Sequence, residues 1–293
     1  MSYDNSMINN TERFTPEALI RDRGLWSEKD RRKDYFEIAD ENVHRNADAT
    51  VSVWEKNDVI DLGNGFVELR VRPFKDVYNM KSGEPFFDQP VCAGFSCTGV
   101  LIDEDIVATS AHFIDRTVPL NKLCFVFGYV MEDPETAVTK IPLTDIYYGA
   151  KILANRLNTI GKNATGEDWI LVQLDRKVKN RHIATISNRP VFIEQPVYAF
   201  GFPCGLPLKY SSGGKVESID NYCFTTKLDL FSGNSGSPMF SAENHHLVGI
   251  VSACDPIDFK LENGLYVSMV YPNSVISSSG DRCSHTLGFF HYL

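Results

Sequence analysis

The sequence predicts an all-β chain, folded as a sandwich or a barrel. Three observations carry that prediction. Short runs rich in aromatic and β-branched residues recur from Val51 onward, Gly, Pro, Asn and Asp punctuate them, and long amphipathic helical patterns are missing. In chain order the runs are VSVW at 51–54, FVELRVR at 66–72, CFVFGYVM at 124–131 and WILVQL at 169–174. They continue with VYAFGF at 197–202, LVGIVSA at 247–253 and LYVSMV at 265–270. The stretch around 176–195 reads as a link between two β units. Before Val51 the texture differs. Arg21 to Asp34, RDRGLWSEKDRRKD, alternates charges and reads as a solvated segment, and residues 39–48, ADENVHRNAD, as a short helix.

Composition bounds the function. The 293 residues are 43% hydrophobic, enough for a sizeable core and two folding units. Acids outnumber bases 38 to 29, a formal charge of −9, which disfavours a nucleic-acid partner bound by phosphate neutralisation. No apolar run approaches the roughly 20 residues of a membrane span, so no membrane partner is expected. The opening MSYDNSMINNTERF lacks a basic region followed by an apolar one, so no secretory signal is expected. Seven cysteines, an odd number without a CxxC, predict reduced thiols and a cytoplasmic setting.

Three segments carry chemistry. Gly233-Asn234-Ser235-Gly236-Ser237-Pro238 flanks a serine with glycines, which exposes a hydroxyl and lets backbone N–H groups converge on an oxyanion. By itself it reads better as a Gly/Ser turn, and Ser237 breaks the G-x-S-x-G elbow of α/β-hydrolases. In Ile106-Val107-Ala108-Thr109-Ser110-Ala111-His112-Phe113 a β run delivers a histidine among small residues, which allows a general base to approach a substrate. In Glu167-Asp168-Trp169-Ile170-Leu171 an acid precedes an apolar strand, where a carboxylate can fix an imidazole tautomer.

Taken together, in the order His, Asp, Ser, the segments resemble the trypsin/chymotrypsin-like serine peptidases. TSAHF is similar to the family's TAAHC, DWILVQL to its aspartate strand, and GNSGSP to GDSGGP in the form typical of bacterial glutamyl-endopeptidase-like members. CTGVLI at 97–102, LVGIVS at 247–252, GLYV at 264–267 and GFPCGLP at 201–207 add further likeness. The resemblance covers roughly residues 50–275. It implies two six-stranded antiparallel β-barrels: residues 51–178 with His112 and Asp168, and residues 179–293 with Ser235. Residues 1–50 are left as an extension.

The resemblance also implies roles. Ser235 is the expected nucleophile, His112 the general base and Asp168 its orienter, with the N–H groups of Gly233 and Ser235 as oxyanion hole. Ser252 is expected beside the aspartate and the substrate backbone. Asp229, six residues before Ser235, is the expected floor of a pocket for a substrate Arg or Lys, with Cys254 at its rim and Gly264 a further expected substrate-binding residue. The implied activity is that of a serine endopeptidase acting through an acyl-enzyme on a protein or peptide substrate. The alternatives are an inactive or latent peptidase-fold binding module and an esterase using the same triad. No cofactor is implied. His245-His246 sits in a polar turn where neighbouring side chains diverge, so no metal is expected either.

Two departures from the family pattern matter. Phe113 stands where the family has Cys, so Cys97 lacks its usual disulfide partner. Asn234 stands where zymogen-type members have the Asp that pairs with a new N-terminal amine, and no R-I-V-G-G-like activation site is present. Control is then expected from residues 1–50 or from a regulatory protein partner.

Overall fold

The computed structural model describes residues 25–26, 29–92, 94, 96–116, 118–160, 163–252, 258–271, 281–286 and 289. Twelve strands build two barrels. The first closes on β1 (Thr50–Glu55), β2 (Ser96–Asp103), β3 (Ile106–Thr109), β4 (Leu123–Val126), β5 (Ile146–Ile160) and β6 (Asn163–Leu174), in the order β5-β6-β3-β2-β1-β4. The second contains β7 (Pro196–Gly201), β8 (Lys209–Ile219), β9 (Cys223–Thr226), β10 (Pro238–Ser241), β11 (Leu247–Val251) and β12 (Asp281–His285). Its order is β8-β7-β10-β11-β12-β9, and a β8–β9 pairing closes it. The expectation of two six-stranded antiparallel barrels holds. The segment from Asp175 to Gln195 carries no strand and joins them.

Alternation explains the closure. Val51 and Val53 of β1, Leu101 of β2, Val107 of β3, Phe125 of β4, Tyr147 of β5 and Ile170 and Val172 of β6 pack together, one set from every strand of the first barrel. Val197, Val216, Phe224, Met239, Val251 and Cys283 do the same across the second. The opposite faces are also apolar. Trp54, Val100 and Trp169 of the first barrel share a buried cluster with Tyr198, Phe200 and Phe240 of the second. At roughly 1.5–3 kcal/mol for each large apolar side chain buried, this shared layer holds the barrels against each other.

The predicted helix forms as α1 (Glu41–Asp48), capped by the Asp40 carboxylate on the N–H groups of Asn42 and Val43. Asn46 on its inner face donates to Tyr198 Oη and to the His245 carbonyl. The FVELRVR run forms two short strands outside the barrels, Phe66–Leu69 and Val71–Pro73.

The charged leading segment departs from its expected solvation. Arg32 is 8% exposed and Asp34 5% exposed. Each is paired: Arg32 with Asp30 at 2.6 Å, and Asp34 with the buried Lys209 at 2.6 Å. Lys33–Asp34 forms an edge strand on β8, with Asp34 opposite Lys209. Burial pushes the Lys209 ammonium down to about 8 despite the pull of Asp34. Leu25 makes a parallel bridge to Val270. Alternating charges were a correct reading of composition, but Asp30, Arg31, Arg32 and Asp34 find counter-charges within the fold, while Lys33 stays exposed.

Candidate active site

β3 ends at Thr109, and the chain turns directly into the short helix α2 (Ala111–Arg116). The small residues Ser110 and Ala111, both fully buried, allow this turn to sit tightly against β6. His112 emerges at the first turn, partly exposed, while Phe113 beside it is buried. Asp168 lies on β6 and is fully buried. One of its oxygens accepts the His112 backbone N–H at 3.0 Å, and the other meets His112 Nδ1 at 2.7 Å. A carboxylate only accepts, so Nδ1 carries the proton and Nε2 is left as the basic nitrogen. The Asp168 N–H donates to Ser284 Oγ at 2.9 Å.

The serine turn lies between β9 and β10. Phe231 O accepts the Asn234 N–H at 3.0 Å, and Gly233, third in that turn, has φ 94°. A side chain at Gly233 would also meet the Phe202 carbonyl at 2.4 Å. Gly236 has φ 83°, and a Cβ there would lie 2.0 Å from Thr98 O and 2.2 Å from Thr109 Oγ1. The turn therefore abuts the strand end that leads into His112.

Strand β2 grips the turn from the first barrel. The Thr98 N–H donates to Ser235 O at 2.9 Å, and Thr98 Oγ1 donates to Gly233 O at 2.9 Å while accepting the Phe202 N–H at 3.2 Å. The Cys97 thiol donates to Ser235 O at 2.7 Å, and burial pushes it up to about 11. Among the described residues the N–H groups of Gly233 and Ser235 have no acceptor. The serine turn thus packs against Thr98, Thr109 and Ser110, two residues before His112, whose ring the buried Asp168 holds.

The remaining expected site residues are Ser252, Cys254, Gly264 and Asp229. Ser252 Oγ donates to Arg282 O at 3.2 Å. Cys254 lies outside the described residues. Gly264 occupies the exposed tip of a hairpin between Phe259–Glu262 and Leu265–Ser268, where Asn263 and Gly264 both have positive φ, as a two-residue type I′ turn requires. Its carbonyl accepts from Asn79 Nδ2.

Asp229 is fully buried, but its carboxylate is engaged by its own chain. Oδ1 accepts the Trp26 N–H at 2.8 Å and Arg31 Nη2 at 2.9 Å; Oδ2 accepts the Arg31 N–H at 3.0 Å and Arg31 Nε at 2.9 Å. Two bonds to each oxygen fill the four lone-pair positions of a carboxylate. The hydrogen bonds that Arg31 donates to Asp229, set against partial burial, raise the Arg31 guanidinium above its ordinary value. Thr98, Ser284 and Arg31 were missed by sequence reasoning because each meets its partner across more than 100 residues. The described residues contain no cluster of His, Cys, Asp and Glu that would hold a metal, and no described helix is long and apolar enough to cross a membrane.

Comparison with known proteins gives a consistent result. Residues 97–250 match the family model of the trypsin-like peptidase domain. A glutamyl endopeptidase of Staphylococcus aureus (strain MRSA252) is 25% identical over 167 residues, 53% of this chain and 42% of that protein. The chain therefore aligns with less than half the length of this relative. A solved Glu endopeptidase in complex with MPD has the same fold, with a TM-score of 0.52 and 17% identity over 92% of this chain and 97% of that one.

Proposed function

The chain belongs to the trypsin-like peptidase family, and we propose that it is a serine endopeptidase in which Ser235, His112 and Asp168 form the triad. The observation that carries the proposal is the double hold of Asp168 on His112, on the ring at 2.7 Å and on the backbone at 3.0 Å. A fully buried carboxylate bonded to both the ring and the backbone of a histidine fixes the tautomer that a general base needs.

The chemistry follows from the positions. Ser235 Oγ attacks the scissile carbonyl as His112 Nε2 takes its proton. The resulting oxyanion is met by the N–H groups of Gly233 and Ser235, which have no acceptor among the described residues. Collapse expels the amine, protonated by His112, and leaves an acyl-enzyme. Water repeats the sequence with His112 again as base. Asp168 stabilises the imidazolium throughout and stays ionised.

Specificity is a separate matter. An Arg or Lys preference needs an acceptor at the pocket floor, and the Asp229 oxygens are already filled by Trp26 and Arg31. The S. aureus relative is named a glutamyl endopeptidase, so acidic residues join basic ones as candidates before the cut. A fluorophosphonate probe tests the mechanism: it labels wild type at Ser235 and fails on both Ser235→Ala and His112→Ala. Labelling that persists in Ser235→Ala would remove the assignment. A panel of fluorogenic peptides varying the residue before the cut reads the preference.

A further inference from the structure

The polypeptide between β9 and β10 carries the nucleophile yet belongs to no barrel ladder, so its position is set by side chains and isolated backbone contacts. Leu228 N–H is held by Asp281 Oδ2 at 3.1 Å, and Ser232 N–H by the Asp258 carboxylate at 3.0 Å. The Asp229 carbonyl accepts from Ser211 Oγ. The deepest hold is the Asp229 side chain, fully buried and neutralised at 2.9 Å by Arg31. Arg31 also donates through Nη2 to Lys227 O at 3.2 Å, so one guanidinium ties both sides of residue 228.

The contact continues toward the site. The next residue, Arg32, lies with its guanidinium 4.1 Å from the centroid of the Phe231 ring. Phe231 O then closes the turn on Asn234 N–H. Asn234 is 2% exposed and carries no charge, its Oδ1 accepting from Ser237 Oγ at 3.3 Å. The turn thus has no ion pair at the residue before the nucleophile. Its charge pair sits five residues earlier and is completed by the leading segment.

That segment is fixed independently. Leu25 is bridged to Val270, Lys33–Asp34 is paired to β8, and Asp34, Gln89 and Lys209 share a buried network in which Lys209 Nζ reaches Gln89 Oε1 at 2.8 Å. Arg31 therefore works from a framed position between two anchors.

We infer that Arg31 is a positioning residue for Ser235: by filling the Asp229 carboxylate from within the chain, it braces the nucleophile turn. The inference rests on the reading of Ser235 as nucleophile, and it assigns residues 25–34 a part in catalysis without contact with the reacting atoms. A bidentate fork is required at this position, because it must meet two carboxylate oxygens and a carbonyl at once.

The test compares wild type, Arg31→Ala and Arg31→Lys in the full chain by two readouts. Amide hydrogen exchange across 228–236 reports the brace whether or not the protein turns over substrate. Fluorophosphonate labelling of Ser235, with kcat and KM on one peptide, reports the site. The expected result is exchange at least tenfold faster in Arg31→Ala, labelling and kcat at least tenfold lower, KM within about threefold, an intermediate Arg31→Lys, and recovery of Arg31→Ala by millimolar methylguanidinium. Unchanged exchange overturns the brace. Faster exchange with unchanged labelling and kcat overturns the positioning role. Absence of Ser235 labelling in wild type instead overturns the nucleophile reading, and the exchange result still decides the brace. If Arg31→Ala does not fold, Arg31→Lys carries the same comparison, and its equality with wild type in both readouts overturns the inference.

Discussion

Asp168 holds His112 at two points, with one carboxylate oxygen on the backbone N–H at 3.0 Å and the other on Nδ1 at 2.7 Å. The ring cannot rotate without breaking the second bond, and the helix start cannot shift without breaking the first. Replacing Asp168 with Asn either presents an NH2 group to Nδ1, which disturbs the tautomer, or turns that NH2 toward the His112 backbone N–H, where donor meets donor and the helix start loses its hold. Asp168→Asn is therefore expected to lower kcat by about 10⁴-fold with the fold intact, and Ser235→Ala by about 10⁶-fold. Steady-state kinetics with a fluorogenic peptide, beside far-UV circular dichroism, checks both.

The filled carboxylate of Asp229 makes a different prediction. If it held a substrate cation, Asp229→Asn would slow only Arg and Lys substrates. Its four bonds come from Trp26 and Arg31, so the substitution is expected to slow all substrates by a similar factor. It should also cost about 3 kcal/mol of stability, the range for breaking a buried ion pair. Denaturant unfolding and a peptide panel on the same variant test this, and selective loss of Arg cleavage would count against it.

Gly236 is expected to tolerate no side chain. A methyl group there would lie 2.0 Å from Thr98 O on a backbone at φ 83°. Overpacking costs about 1–3 kcal/mol and the left-handed conformation roughly 1–2 more. Gly236→Ala should lower Tm and abolish fluorophosphonate labelling. Gly264→Ala, at an exposed tip where a Cβ meets nothing within 4 Å, should pay only the backbone strain and keep full activity.

Cys97 lies against the carbonyl of Ser235, yet its thiol is expected to be inert. Burial pushes it up to about 11, and the thiolate is the reactive form. The folded chain should resist iodoacetamide at Cys97 at pH 8, reacting there only after unfolding or as the pH nears 11. Peptide mapping after timed alkylation reads the result.

Much of the fold was written locally. Val51 and Val53 alternate with Ser52 and Trp54, and both faces of β1 find apolar partners, one inside the barrel and one between the barrels. The segments bearing His112, Asp168 and Ser235 were legible because each has its own small-residue or strand context. What escaped was pairing at a distance. Nothing in RDRGLWSEKDRRKD announces that Arg31 will meet Asp229, 198 residues away. A run of alternating charges looks the same whether water or buried counter-charges satisfy it. Gly264 shows the opposite case. Asn263-Gly264 between two strand-like runs is a local hairpin signal, and family resemblance drew attention from it.

Thr98 belongs to the first barrel, but it grips the turn of the second through Ser235 O and Gly233 O. His112 and Ser235 arrive from separate barrels, and this residue bonds the first barrel to the turn that carries Ser235. For the proposed peptidase, the two barrels then meet the substrate as bonded partners at this joint, which serves the serine turn as an anvil.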